Sequence, residues 1–159
     1  MPRTPIDYSK TVFYKIVCND LSIKDCYIGH TTDFTKRKNS HKTNCNDEHN
    51  ASFHLRVYSF IREHGGWANW SMIPIEEAVC VSVLDARRRE RELIEANSCT
   101  LNFSIPTRTY DEWRQVHAEK IAENKGKIEI CSICGGSVTR THLPRHQRTL
   151  KCQSFIDQQ

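Results

Sequence analysis

The chain has 159 residues, 38% apolar and 26% charged, with a net charge of +4. That length permits one medium domain plus a small appendage. With a mean hydropathy of −0.63 and no apolar run of bilayer length, it excludes a fold built on membrane-spanning helices. The opening Met1–Tyr8 carries no apolar stretch of the signal-peptide kind, so an intracellular, reducing setting is expected and secretion is not.

Thr11 to Cys18 is rich in β-branched and aromatic residues and reads as a strand. Asn19-Asp20 starts a turn, and Asp25 to Gly29 reads as a second strand antiparallel to the first. Asp33 is placed to N-cap a helix from Phe34 to about Lys42. Residues 44–50 are polar and read as a loop. Ser52 to His64 carries Phe53, Val57, Phe60 and Ile61 at helical spacing and stops at Gly65-Gly66. Trp70 to Ile75 reads as a third strand, with Pro74 marking an edge or a bulge. Val83 to Asn97 is a helix with a dense charge run, and Tyr110 to about Asn124 a further, exposed helix. Lys125-Gly126-Lys127 signals a boundary before a cysteine-rich tail.

Positive charge clusters twice. Lys36, Arg37, Lys38 and Lys42 follow the second strand, and Arg140, Arg145, Arg148 and Lys151 lie near the C-terminus with Asp157 as the nearby acid. Both clusters suit phosphate contacts, and both equally suit solvated faces. Of the eight cysteines, the scattered Cys18, Cys26, Cys45, Cys80 and Cys99 read as small apolar packers. Disulfides are not expected in a reducing setting.

Tyr14 and Tyr27 lie thirteen residues apart, and Arg37 and His41 follow one helical turn apart. Phenols, a guanidinium and an imidazole are poor core material but suit a phosphate: donors, a fixed positive charge and a proton acceptor. A metal ligand would complete the set. On the Val83–Asn97 helix, Val83, Ala86, Glu90, Leu93, Ile94 and Asn97 share one face, so Glu90 interrupts the apolar stripe while Glu92 belongs to the solvated side. A carboxylate there needs a divalent ion or an ion pair with a nearby arginine.

The runs VFYKI, CYIGHTTDFTKRKNSH and RERELIEANSCTLN together resemble the GIY-YIG nuclease domain over about residues 11–105. The Tyr27-Ile28-Gly29 signature is intact, whereas Val12-Phe13-Tyr14 stands where Gly-Ile-Tyr is usual. Arg37, His41, Glu90 and Asn102 follow at the family's spacing, and His49 matches a further polar position loosely. The resemblance implies an α/β (α+β) domain with a three-stranded antiparallel sheet flanked by helices. It also implies metal-dependent endonuclease activity on DNA. Glu90 would hold one Mg²⁺ or Mn²⁺, Arg37 would contact the phosphate, and Tyr14 would orient or deprotonate water with His41 as relay. Tyr27 would position phosphate or water. Acting as a base, Tyr14 would need its pKa lowered by the metal and Arg37. The degraded first signature supports an alternative, a catalytically inactive nucleic-acid-binding protein that keeps the fold; a zinc-dependent protein-interaction adaptor is a third reading.

Cys131-Ser132-Ile133-Cys134-Gly135-Gly136 has zinc-knuckle spacing. His146 and Cys152 complete four ligands, with His142 as a substitute. A structural Zn²⁺ would let this segment fold around only Ile133, Val138, Leu143, Leu150 and Phe155. The segment looks like the finger that follows GIY-YIG domains in stand-alone proteins of large DNA viruses, which would place the protein in host cytoplasm or nucleus. The expected organisation is a nuclease domain at 1–105, a helical connector at 106–127 and a CCHC-type finger at 128–159. Lys36, Lys38 and Lys42, with the finger's Arg140, Arg145, Arg148 and Lys151, are the expected DNA contacts.

Overall fold

The computed structural model describes residues 5–156; Asp157 lies outside them. Two compact units divide the chain, one running to Thr107 and one starting at Arg108. Both are α+β, and no helix among the described residues is long and apolar enough to cross a membrane.

The first unit is organised around β1 (Thr11–Cys18), flanked by β2 (Cys26–Thr31) and β3 (Trp70–Ala78), all antiparallel. β1 alternates with period two, so it feeds two cores. Tyr14, Ile16 and Cys18 pack with Cys45 of α1 (Phe34–Asn46) and with Val57, Tyr58 and Ile61 of α2 (Arg56–Glu63). Phe13 packs instead with Cys80 and with Ala86 of α3 (Val83–Ala96). Burial of each large apolar side chain here stabilises the fold by about 1.5–3 kcal/mol. Pro74 sits on the edge strand where the register against β1 shifts between Phe13 and Tyr14, as suits a residue with no N–H for the ladder.

Local chemistry sets the helix ends. The Asp33 side chain accepts from Lys36 N and caps α1. Ser82 does the same for α3 through Asp85 N. α2 stops at Gly65 and Gly66, both at positive φ. α1 runs four residues beyond the expected end because its last turn buries Cys45. α2 starts later than Ser52: Phe53 is drawn under the Arg62 guanidinium, 3.6 Å from its ring centroid, and Phe53 O accepts from Arg62 at 3.0 Å. β2 and β3 run further than expected, to Thr31 and Ala78.

One expectation is overturned outright. Cys26 and Cys99 form a disulfide and are not independent packers. The segment after α3 lies against β2, with Leu101 N donating to Cys26 O at 3.1 Å. This brings the two Cα atoms to 4.9 Å, inside the range a disulfide spans.

The second unit opens with α4 (Tyr110–Val116), capped by a Thr109–Glu112 capping box, and α5 (Ala118–Gly126), separated at His117. A single helix was expected there. A two-stranded ribbon follows, β4 (Ile128–Ile130) with β5 (Ser137–Thr139), then the single-turn helices α6 (Leu143–His146) and α7 (Leu150–Gln153). Leu150 and Phe155, expected in its core, are exposed. From residue 128 to 156 only Cys131 and Cys152 are buried.

Candidate active site and metal centre

The site is built from three neighbouring elements. β1 presents Tyr14, β2 presents Tyr27 and Gly29, and α1 presents Arg37 and His41. Tyr14 is paired with Gly29 across β1–β2. With no side chain at 29, the Tyr14 phenol lies close over β2; a Cβ there would be 2.5 Å from its hydroxyl. That hydroxyl meets Arg37 Nε at 2.9 Å and His41 Nε2 at 2.8 Å. Beyond the imidazole, His41 Nδ1 meets the Tyr58 hydroxyl at 2.8 Å, which also accepts from Asn44 Nδ2 at 3.1 Å. The Tyr27 ring lies 6.4 Å from Tyr14 and 5.7 Å from His41, and Trp67 stacks on His41 at 6.1 Å.

Donor and acceptor roles follow from these contacts. Arg37 can only donate, so the Tyr14 hydroxyl hydrogen is free to go to His41 Nε2. His41 then carries its proton on Nδ1 and donates to Tyr58. Burial, with the adjacent Arg37 charge, pushes the His41 pKa down to about 3, so the ring is neutral across the physiological range and accepts a hydrogen bond at Nε2. Burial drives the Tyr14 phenol above its ordinary value; Tyr27 adds to this and Arg37 opposes it. Desolvation thus outweighs the guanidinium on its own. Burial also raises Tyr27. Arg37 is held above its ordinary value: burial works against its charge, but the Tyr14 and Tyr27 oxygens outweigh it.

Glu90 is 8% exposed on the inner face of α3. Its Oε2 contacts His30 Nδ1 on β2. Arg89 is engaged by Glu76 and Glu92, and Arg91 by Glu95. Glu90, Tyr27, Arg37 and Tyr58 line one cleft of about 510 Å³. Among the described residues Glu90 is the only carboxylate on its walls, and its oxygens are the kind of ligand a hard divalent ion takes. Asn102 also lines the cleft and fixes β2 twice, accepting from Ile28 N at 2.9 Å and donating to Ile28 O at 2.7 Å.

Tyr14, Tyr27, Arg37, His41 and Glu90 thus gather in one region, with Tyr27, Arg37 and Glu90 on the cleft walls and Tyr14 and His41 buried off them. Lys36, Lys38 and Lys42 are exposed along α1. His49 is exposed beside Glu48 and off the cleft walls. Val12, the departure in the first signature, lines a different depression with Ser9, Lys10 and Glu77, so it does not obstruct the cleft. Sequence reasoning missed His30, Asn44, Tyr58 and Trp67. For Tyr58 a signal exists: a phenol next to Val57 on the buried stripe of α2 needs a polar partner.

In the second unit, the ligand atoms of Cys131, Cys134, His146 and Cys152 all lie within 4.8 Å of one another. Cys131 Sγ is 3.5 Å from Cys152 Sγ, and Cys134 Sγ 3.1 Å from His146 Nε2. Such a cluster can surround one tetrahedral ion. Gly135, at φ 70°, turns the knuckle and returns its N–H to Cys131 O at 2.9 Å. Backbone N–H groups of Cys134 and then Ile133 draw the Cys131 thiol below its ordinary value, toward the thiolate that binds metal. His142 is not in the cluster; its Nδ1 contacts Thr139 Oγ1 at 2.9 Å. Arg140, Arg145, Arg148 and Lys151 are exposed, with Arg140 paired to Glu129 at 3.1 Å.

A family model, the GIY-YIG catalytic domain, matches residues 10–102. No curated protein and no solved structure matches the chain.

Proposed function

Since the chain belongs to the GIY-YIG catalytic domain family, a family of nucleases, we propose that it is a metal-dependent DNA endonuclease. It hydrolyses phosphodiester bonds by a one-metal mechanism and is held on DNA by a zinc finger at its C-terminal end. The observation that carries this reading is the Tyr14 hydroxyl, bonded at once to Arg37 Nε and His41 Nε2 in the same region as Glu90.

A Mg²⁺ or Mn²⁺ held by Glu90 would supply Lewis-acid stabilisation of the leaving oxygen and of the scissile phosphate. The remaining work falls to the chain. Arg37, permanently charged, contacts a non-bridging oxygen as negative charge builds up. Tyr14 is buried and off the cleft walls, so substrate binding must bring the attacking water to its hydroxyl, which then accepts that proton while giving its own to His41 Nε2. A free phenolate never forms, which suits a phenol whose pKa is raised. The arriving phosphate offsets the Arg37 charge, one of the two influences that hold His41 basicity down. Tyr27 positions phosphate or water from β2.

Zinc is the ion that best suits three thiolates and an imidazole. Its folding role is supported by the near absence of apolar burial around it. Lys36, Lys38, Lys42, Arg145, Arg148 and Lys151, with Arg140, are the cations that would meet backbone phosphates.

Nicking of supercoiled plasmid in Mg²⁺, compared for wild type and Glu90→Ala, tests the reading. Wild type should nick, and Glu90→Ala should bind DNA with similar affinity yet leave it intact. Inactivity of folded wild type in both Mg²⁺ and Mn²⁺, or full activity of Glu90→Ala, overturns it.

A further inference from the structure

The cleft that holds Tyr27, Arg37 and Glu90 extends beyond what a phosphate needs. Its further walls are His54, Leu55 and Arg56 at the start of α2, and Phe103 and Ser104 just after Asn102. Phe103 is 87% exposed although it directly follows the buried Leu101 and Asn102. Its backbone is anchored on both counts: Leu101 N bonds Cys26 O, and Asn102 clips Ile28. An aromatic ring held in water by a fixed backbone gains nothing for the fold, since burial is what makes a phenylalanine stabilising. Leu55 is likewise half exposed on the same cleft. Arg56 is exposed, with no ion pair among the described residues.

We propose that this end of the cleft is a nucleobase subsite: Phe103 and Leu55 take up the apolar faces of the base beside the scissile phosphate. Polar edges then meet Asn44, Ser52 and Ser104, and Arg56 meets the next phosphate. The occupant is fixed by continuity with the phosphate end and by charge, since Arg37 and Arg56 line the same cleft. A volume of about 510 Å³ falls in the ~300–1,000 Å³ range of ligand clefts; a duplex backbone lying across a surface would need no such recess. A base inside a duplex has both faces covered by its neighbours. It reaches a side-chain ring only after leaving the stack, and that costs least where the nucleotide is already unpaired. The substrate class is therefore DNA with an unpaired nucleotide beside the cut: a bulge, a mismatch or a single-stranded flank. This inference rests on the nuclease reading for the position of the cut but not for the binding it describes.

The test is binding without added divalent cation, using a short duplex with one bulged 2-aminopurine and its fully paired counterpart. Wild type should prefer the bulged duplex and quench the 2-aminopurine. Phe103→Ala should lose the quenching and bind the bulge roughly tenfold more weakly, with paired-duplex affinity unchanged. Phe103→Tyr should restore both. Equal affinity of wild type for the two duplexes, or a Phe103→Ala variant that still quenches and prefers the bulge, overturns the subsite. Plasmid nicking by the same wild-type sample separates the two ideas: nicking without bulge preference sinks only the subsite, and bulge preference without nicking sinks only the nuclease.

Discussion

Replacing Gly29 by alanine tests the catalytic geometry most directly. The new methyl would stand 2.5 Å from the Tyr14 hydroxyl, 2.7 Å from its Cζ and 3.1 Å from Tyr27 Cε1, against an ordinary contact of 3.4 Å or more. The phenol must therefore move by about 0.9 Å. Tyr14 is fully buried, so the shift cannot be absorbed by solvent. Its bonds to Arg37 and His41 begin at 2.9 and 2.8 Å, and a displacement of that size carries at least one of them out of hydrogen-bonding range. Overpacking of this kind costs about 1–3 kcal/mol of stability, and a misplacement near 1 Å slows chemistry by about 10²-fold. The assay is single-turnover nicking at saturating enzyme, paired with urea unfolding. Gly126→Ala is the control: nothing lies within 4 Å of a Cβ there, so its rate should match wild type. A Gly29→Ala protein that nicks at the wild-type rate refutes the role given to the Tyr14–Arg37–His41 contacts.

Two further outcomes follow from the same geometry. The unfolded chain takes up a proton at His41 near pH 6.5, whereas the folded ring refuses it until about pH 3. Stability should therefore rise with pH through this window, by up to about 1.4 kcal/mol per pH unit from this group, and be fully present above it. Urea midpoints between about pH 5 and 6.5 should show a shallower slope in His41→Gln; an unchanged slope rejects the assignment. Separately, a strong zinc chelator or Cys134→Ser should unfold residues 128–156 while the unit ending at Thr107 keeps its amide protection. DNA affinity should fall, and its salt dependence should become shallower by roughly two to three log units per log unit as Arg145, Arg148 and Lys151 are lost. Retention of the β4–β5 ribbon by the metal-free protein contradicts a structural ion.

Legibility in the sequence tracks how local each cause is. β1 ends where its composition says, and Asp33 caps the helix its position suggests. The edge character of β3 follows from one proline. Glu90 could be singled out from Glu92 because a helix face is set by residues three and four apart. The rest depends on contacts between distant positions. The His30–Glu90 contact spans 60 residues and the Cys26–Cys99 bond 73. The end of α1 is decided by Cys45 meeting the core, and the start of α2 by Arg62 capturing Phe53. The raised Tyr14 pKa is hidden for the same reason. A guanidinium four residues from an imidazole is visible in the chain, but the depth at which the phenol lies is not.

The cystine closes a covalent ring around most of the first unit. Tyr27, Arg37, His41, Tyr58 and Glu90 all belong to the stretch between Cys26 and Cys99, while Tyr14 stands outside it on the central strand. A protease that clips the exposed turn at residues 47–51 would open this ring without releasing either piece, since the sulfur bridge still tethers both. Only reduction would then let the fragments part.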